Sequence, residues 1–178
     1  YDRSNGDWTE TRYGLIQHDS NTNTLGTAFS SWGELNTGAA ATLTRFIDQA
    51  VSDHPAANYG LIVWDHGGGL NGTSWDNASN GDNLTLAEYV AALEASVLPH
   101  FDFIGFDACL QGMLEQAWDV RALADVLVAS QETEPGDGWD YSALLGRLAT
   151  YPSMTAIDLG NAVVSSYGAF YGAQQGIT

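Results

Sequence analysis

The sequence predicts an α/β fold, a three-layer αβα sandwich whose central sheet is mostly parallel. Short continuous apolar runs at residues 59–64, 101–107 and 126–129 are typical of buried parallel strands. Helical patterns separate these runs, and parallel strands joined in this way carry helices on both faces of one sheet. No internal repeat or low-complexity linker divides the 178 residues, so we expect one domain spanning 1–178.

The first half of the chain predicts a strand, a helix, a central strand and a long loop. Residues 12–17 form a short apolar-rich run, and residues 37–51 carry apolar side chains at helical spacing. Residues 59–64 (Tyr-Gly-Leu-Ile-Val-Trp) are too few for a helix to be preferred, and they predict a central strand. Residues 67–83 are rich in Gly, Asn, Asp and Ser, which predicts a loop.

The second half continues the alternation. Thr85 and Glu88 have the spacing of a capping box, so a helix is expected from there to Leu98, where Pro99 ends it. Thr155 and Asp158 predict the start of the last helix in the same way. The other predicted elements are a strand at 101–107, a helix at 112–124, a strand at 126–129, a loop at 132–139, and helices at 141–149 and 155–171.

Charge and cysteine content exclude some classes of protein. The chain has 22 Asp and Glu against 5 basic residues, a net charge of -17, so nucleic acid is not an expected partner. No apolar stretch is long enough for a membrane span. The single cysteine, Cys109, excludes an internal disulfide, and its neighbours must decide whether it is a buried apolar residue or a reactive thiol.

Two of the predicted strands end in polar sequences that can carry chemistry. Trp-Asp-His-Gly-Gly-Gly follows one strand and contains His66, and Asp-Ala-Cys-Leu-Gln-Gly follows the next and contains Cys109. Neighbouring parallel strands bring both side chains to the same sheet edge. A thiolate is a nucleophile, and a nearby imidazole can stabilise the thiolate or protonate a leaving amine. Backbone amides around Gly67 and Cys109 can donate hydrogen bonds to an oxyanion.

Non-catalytic interpretations of the same residues remain open at this point. A His at a strand end is often only a hydrogen-bonding residue, and a run of glycines often only makes a turn. A metal site using Asp65, His66, Asp76 and Cys109 is a further alternative, although no Cys or His pair has zinc-ligand spacing, so the metal ligands stay unknown. The sequence contains no Gly-x-Ser-x-Gly elbow and no phosphate-binding glycine fingerprint after a strand.

Three segments, in order, resemble the clostripain (C11) family of cysteine peptidases. They are residues 59–69 (YGLIVWDHGGG), 101–113 (FDFIGFDACLQGM) and 129–139 (ASQETEPGDGW). The resemblance covers most of the chain and implies a caspase-haemoglobinase-like fold. It implies that His66 and Cys109 form the catalytic dyad, with an oxyanion donor at Gly67.

The resemblance also implies cleavage of proteins or peptides after Arg, and less well after Lys. The acidic specificity residue of that family corresponds to Asp107, two places before Cys109, and Asp137 in the third segment is a second S1 candidate. The residues alone allow other roles, because Asp107 can cap the following helix and Asp137 can be an ordinary turn residue. Trp139 and Tyr141 are candidates for the pocket wall, although large aromatic residues more often lie in the core.

The remaining expectations concern cofactors, context and alternative functions. No cofactor is required, but calcium activation occurs in some members of that family, and the acidic loop 76–82 is a candidate site. The resemblance implies a secreted or cell-surface bacterial protein, and the chain is expected to be a fragment of a longer one with other domains. Two alternatives are a catalytically inactive caspase-like binding module and a thiol amidase acting on small substrates.

Overall fold

The computed structural model describes residues 9–17, 20 and 28–175 of the chain, with side chains described up to residue 172. The strands are β1 (Arg12–Tyr13), β2 (Ser30–Ser31), β3 (Gly60–Trp64), β4 (Thr73–Asp76), β5 (Asp82–Leu84), β6 (Phe101–Asp107) and β7 (Ala124–Ala129). The helices are α1 (Ala40–Asp53), α2 (Leu86–Ala95), α3 (Leu114–Val120), α4 (Tyr141–Thr150) and α5 (Ala156–Gln175).

The central sheet is parallel and has the order β3-β6-β7. Strand β6 lies in the middle, and its residues Phe101–Asp107 are almost entirely buried, which explains their unbroken apolar pattern. The pairs β1–β2 and β4–β5 are separate antiparallel ribbons. The predicted α/β class with a parallel central sheet is therefore confirmed.

Helices cover both faces of this sheet, which produces the three layers. On one face, Ile104 and Phe106 of β6 pack in a core with residues of α1, α2 and α3. On the opposite face, Phe103 packs with residues of α4 and α5, and with Trp139. Successive residues of a strand point to opposite faces, so β6 contributes alternately to the two cores.

The helix starts that the sequence predicts are present. Thr85 and Glu88 form a complete capping box at the start of α2. Thr155 and Asp158 exchange the same kind of hydrogen bonds before α5. These caps satisfy N–H groups that the first helical turn leaves without an internal partner.

The predicted loop 67–83 is wrong in part, because it contains a short 3-10 turn at Gly69–Asn71 and the β4–β5 ribbon. The turn of this ribbon is organised by Asp76, whose Oδ1 accepts the backbone N–H groups of Ala78 at 2.9 Å and Ser79 at 3.0 Å. Its Oδ2 accepts the N–H of Thr37 at 2.9 Å. The polar residues of this segment therefore stabilise a ribbon through side-chain contacts that apolar alternation does not indicate.

The predicted helix 112–124 is longer than the observed α3, which ends at Val120. Ala124 belongs to β7 because it pairs with Phe101 of β6, and the N–H of Phe101 bonds the carbonyl of Leu123 at 2.8 Å. Pairing with the central strand therefore overrides the local helical pattern here. At the start of α3 the Leu114 side chain is 79% exposed.

Candidate active site

His66 and Cys109 lie at equivalent positions beyond neighbouring strands. Trp64 at the end of β3 pairs with Asp107 at the end of β6, so each candidate residue follows a paired strand end by two positions. Both therefore lie at the carboxyl edge of the sheet, as the sequence predicts. The His66 side chain is exposed and Cys109 is half-buried, so a substrate can reach both. Within the described part of the chain, no hydrogen bond joins the two side chains.

The backbone after His66 is held directly against the backbone of Cys109. A Cβ on Gly67 would overlap the carbonyl oxygen of Cys109 and lie 2.9 Å from its nitrogen, so only glycine fits this position. The carbonyl of His66 accepts bonds from Thr73 Oγ1 at 2.9 Å and from the N–H of Ser74 at 3.2 Å. These bonds fix the histidine segment to β4, while the close approach of Gly67 places it against the cysteine segment.

Gly67 lies between the start of β4 and the backbone of Cys109. Gly67 forms an antiparallel β-bridge with Thr73. In this bridge the N–H of Ser74 donates to the carbonyl of His66, and the N–H of Gly68 donates to the carbonyl of Gly72. Neither hydrogen bond of this bridge uses the Gly67 N–H. An oxyanion donor at Gly67 stays a prediction.

The thiol of Cys109 contacts a residue that the sequence analysis did not select. The N–H of Glu134 donates to Sγ at 3.2 Å, and Sγ lies 3.8 Å from the Glu134 carbonyl oxygen, to which the thiol donates. The backbone of Glu134 therefore lies directly against the sulfur of Cys109. Glu134 lies in the segment 129–139, but nothing in its spacing indicates this contact.

Asp107 is a buried carboxylate that organises the 130–140 loop, the segment between β7 and α4. Its Oδ2 accepts the N–H of Trp139 at 3.0 Å and the hydroxyl of Tyr141 at 2.9 Å. The alternative that Asp107 caps the next helix is wrong, because the N-cap position of α3 is Met113, which has no side-chain cap bond. Gly138, with φ +67°, packs against Asp107 so closely that a Cβ would lie 2.5 Å from Oδ2.

Asp137 is exposed at the tip of the same loop, in a turn where the N–H of Gly138 bonds the carbonyl of Pro135 at 3.0 Å. Burial raises the pKa of Tyr171, and the negative charges of Asp137 and Asp107 raise it further. Both candidate S1 residues are therefore close enough to Tyr171 to affect its pKa. Trp139 is buried in the core beside α4 and α5, so it supports the loop from beneath and does not line an open pocket.

The acidic loop 76–82 does not fit a calcium ion. Both oxygens of Asp76 accept backbone N–H groups, which occupy the lone pairs that a cation needs. The Oδ2 of Asp82 accepts the side-chain amide of Asn36 at 2.5 Å. In the ranges that the structure describes, no group of three or more His, Cys, Asp or Glu could hold a metal ion.

Solved structures similar to this chain include cysteine proteases of peptidase family C11. A secreted member from Bacteroides thetaiotaomicron, solved with an irreversible peptide inhibitor, is 23% identical with a TM-score of 0.73. The match covers 87% of this chain and 44% of that chain. An inactive zymogen from Parabacteroides distasonis is 24% identical with a TM-score of 0.72, over 92% of this chain and 45% of that chain. The fold is therefore the caspase-like αβα sandwich.

Sequence comparison gives the same assignment. The profile of the clostripain family matches residues 11–177. Clostripain of Hathewaya histolytica is 30% identical over 165 residues, which cover 80% of this chain and 31% of clostripain. The chain belongs to the clostripain family, and it spans less than half the length of these relatives.

Proposed function

We propose that this chain carries the active site of a cysteine endopeptidase, with Cys109 as nucleophile and His66 as general acid and base. The observation that supports this most directly is the placement of both residues beyond β3 and β6, with the Gly67 backbone against Cys109. The thiolate attacks the carbonyl carbon of the scissile bond, and His66 protonates the leaving amine. Water then hydrolyses the acyl-enzyme, so two side chains supply the chemistry and no cofactor is required.

The test of the dyad is a pair of variants with a matched control. Cys109→Ala and His66→Ala should each lower peptide cleavage by about 100-fold or more, because general acid–base help alone contributes that much. His100→Ala is the control, since His100 is exposed and bonds Asp125 at 3.0 Å at the start of β6, the opposite end of that strand. Circular dichroism checks that each variant is folded. Retention of more than about a tenth of wild-type turnover by either dyad variant would contradict the assignment.

We further propose that cleavage follows Arg, and less readily Lys. This is supported by Asp107, two residues before Cys109, and by Asp137 in the loop whose Glu134 N–H contacts the thiol. A guanidinium can bridge two carboxylates, whereas an ammonium is a point charge. Asp107→Asn should lower kcat/KM for an arginyl substrate by about 100-fold, and for the citrulline analogue much less, since each 1.4 kcal/mol is a factor of ten. An equal loss for both substrates would show that Asp107 serves only to hold the 130–140 loop.

Two alternatives predict different results in the same assays. An inactive binding module would neither cleave peptides nor react with an arginyl electrophile at Cys109. An amidase would cleave small amides but leave proteins intact.

The related protease from Bacteroides thetaiotaomicron is described as secreted, and we propose the same location for this protein. None of the helices in the described part of the chain is long and apolar enough to cross a membrane.

A further inference from the structure

Gln111 is a buried polar residue two positions after the proposed nucleophile. It is 2% exposed, and its Nε2 donates to the carbonyl of Gly72 at 3.1 Å and to the carbonyl of Cys109 at 3.4 Å. A buried amide without partners would cost free energy, so these two bonds fix where the side chain lies. Gln111 therefore contacts both the cysteine segment and the segment that follows His66.

The carbonyl of Gly72 belongs to the turn that follows His66. The same carbonyl accepts the N–H of Gly68 at 2.9 Å. A Cβ on Gly72 would overlap the carbonyl oxygen of Leu84 in β5, so its backbone packs directly against that strand. Because Gly72 is held in this way, a bond to its carbonyl ties Gln111 to the whole turn and not to a free end.

The cysteine segment is held on its other side by the 130–140 loop. The N–H of Leu110 donates to the carbonyl of Glu132 at 3.0 Å. Leu110 has φ +60°, which residues other than glycine rarely adopt, so the chain turns sharply between Cys109 and Gln111. The backbone of this segment therefore bonds the loop, while the Gln111 side chain bonds the histidine side.

Within the described part of the chain, one hydrogen bond joins the histidine segment 66–73 to the cysteine segment 108–113, and Gln111 donates it. The close approach of Gly67 to the Cys109 backbone limits how near the two segments can come. A hydrogen bond is directional, so it also restricts their relative orientation. Catalysis depends on that orientation, because a displacement of about 1 Å can lower a rate by about 100-fold.

We propose that Gln111 is a positioning residue, which places His66 relative to Cys109 by tying the Gly72 carbonyl to the cysteine segment. This inference rests on the proposed peptidase function, in which these two side chains act together. Gln111 is buried beside the backbone and does not touch the substrate. Its loss should therefore slow the chemical step and leave substrate binding nearly unchanged.

The first variant is Gln111→Met, which keeps the length and the burial but has no donor. The kcat for a small peptide substrate should fall by about 10- to 100-fold, and KM should change by less than about threefold. Circular dichroism and Tm check that the variant is folded. If it does not fold, Gln111→Asn takes its place and should show the same loss, because its amide is one methylene too short to reach Gly72.

Gln116→Met is the matched control for removing a buried amide. Gln116 is 3% exposed on α3, and in the described residues it makes no hydrogen bond to the histidine segment. Its kcat should stay within about threefold of the wild type. Equal activity of Gln111→Met and Gln116→Met would overturn the proposal, as would a rise in KM in place of the fall in kcat.

A double-mutant cycle with His66→Ala separates positioning from a general structural role. If Gln111 acts through His66, Gln111→Met should lower the residual rate of His66→Ala by less than about threefold, because the group that it positions is gone. The rate of Cys109→Ala serves as the blank. A loss in the His66→Ala background as large as in the wild type would show that Gln111 is only structural.

The same cycle distinguishes failure of this proposal from failure of the peptidase assignment. Near wild-type turnover of His66→Ala alone would refute the dyad, and the positioning role of Gln111 with it. Loss of turnover in His66→Ala, combined with an independent effect of Gln111→Met or with no effect, would keep the dyad and refute only the role of Gln111.

Discussion

At the scale of single residues, Asp107 joins the end of β6 to the 130–140 loop. Its carboxylate is buried and accepts two hydrogen bonds from the segment that begins α4, so it holds the 130–140 loop over the sheet edge. The same loop presents the Glu134 N–H to Cys109. Burying a carboxylate without hydrogen-bond donors costs free energy, so the buried position of Asp107 requires the donors of this loop. The loop in turn is held in place by its hydrogen bonds to Asp107.

We expect Gly138→Ala to damage both stability and activity. Gly138 has φ +67°, a conformation that costs a non-glycine residue about 1 kcal/mol or more, and its Cβ would press on the Asp107 carboxylate. Stability should fall by roughly 1–3 kcal/mol, and cleavage of arginyl peptides should fall with it.

Gly136→Ala is the matched control in the same loop, since its Cβ would meet nothing within 4 Å and its φ is not in the left-handed region. Urea unfolding and kcat/KM for both variants check the prediction. Similar behaviour of the two variants would show that the Asp107–Gly138 contact does not constrain the site.

At the scale of elements, β6 is the strand on which both cores and the site depend. Phe106 and Ile104 face α1–α3, whereas Phe103 faces α4 and α5. Gly105 lies between them, where the Trp139 ring packs directly on the backbone and a Cβ would be 2.8 Å from the ring. The glycine in this central strand therefore makes room for the indole that supports the 130–140 loop.

Gly105→Ala should consequently lower the free energy of unfolding by about 1–3 kcal/mol, the usual cost of overpacking a core. It should also shift the near-ultraviolet dichroism, because the Trp139 ring must move. Gly60→Ala in β3 is the control, since its Cβ would lie 3.6 Å from the Phe103 side chain, an ordinary contact. Equal stability of the two variants would mean that Trp139 repacks freely.

At the scale of the whole molecule, unbalanced charge opposes folding. The chain carries 22 acidic residues and 5 basic ones, and one of these basic residues, Arg12, pairs with Glu10 at 2.8 Å. A net charge of -17 produces mutual repulsion between the carboxylates, and this repulsion is strongest in the compact state. Salt should therefore stabilise this protein.

We expect Tm at neutral pH to rise by several degrees when NaCl is raised from about 0.01 to 0.5 M, because the Debye length falls from about 30 Å to below 10 Å. The control repeats the NaCl series at a pH nearer the isoelectric point, which is close to 4.1. Fewer carboxylates are charged there, so the rise in Tm with salt should be smaller. Differential scanning calorimetry measures both. A Tm independent of salt at neutral pH would show that repulsion between carboxylates does not lower the free energy of unfolding significantly.

Local sequence patterns were sufficient for the sheet, the helix starts and the positions of the candidate dyad. The apolar runs of β3 and β6 are long enough to be read without tertiary information, and the polar residues that follow them mark the edge where His66 and Cys109 lie. The capping boxes at Thr85 and Thr155 are equally local, because each joins residues three positions apart. The catalytic and specificity roles of these residues stay predictions.

Only the tertiary structure decided where helix gave way to strand after Val120, how the polar segment before α2 forms a ribbon, and which loop residue reaches the thiol. Glu134 is 25 positions from Cys109, and its neighbour Asp137 is the more obvious acidic candidate from sequence. Hydrophobic periodicity reports which face of a segment is buried, but it carries no information about which distant segment covers it. The contacts of Glu134 depend on the packing of Trp139 against Gly105 and of Gly138 against Asp107, and these form only when β6 and the 130–140 loop come together.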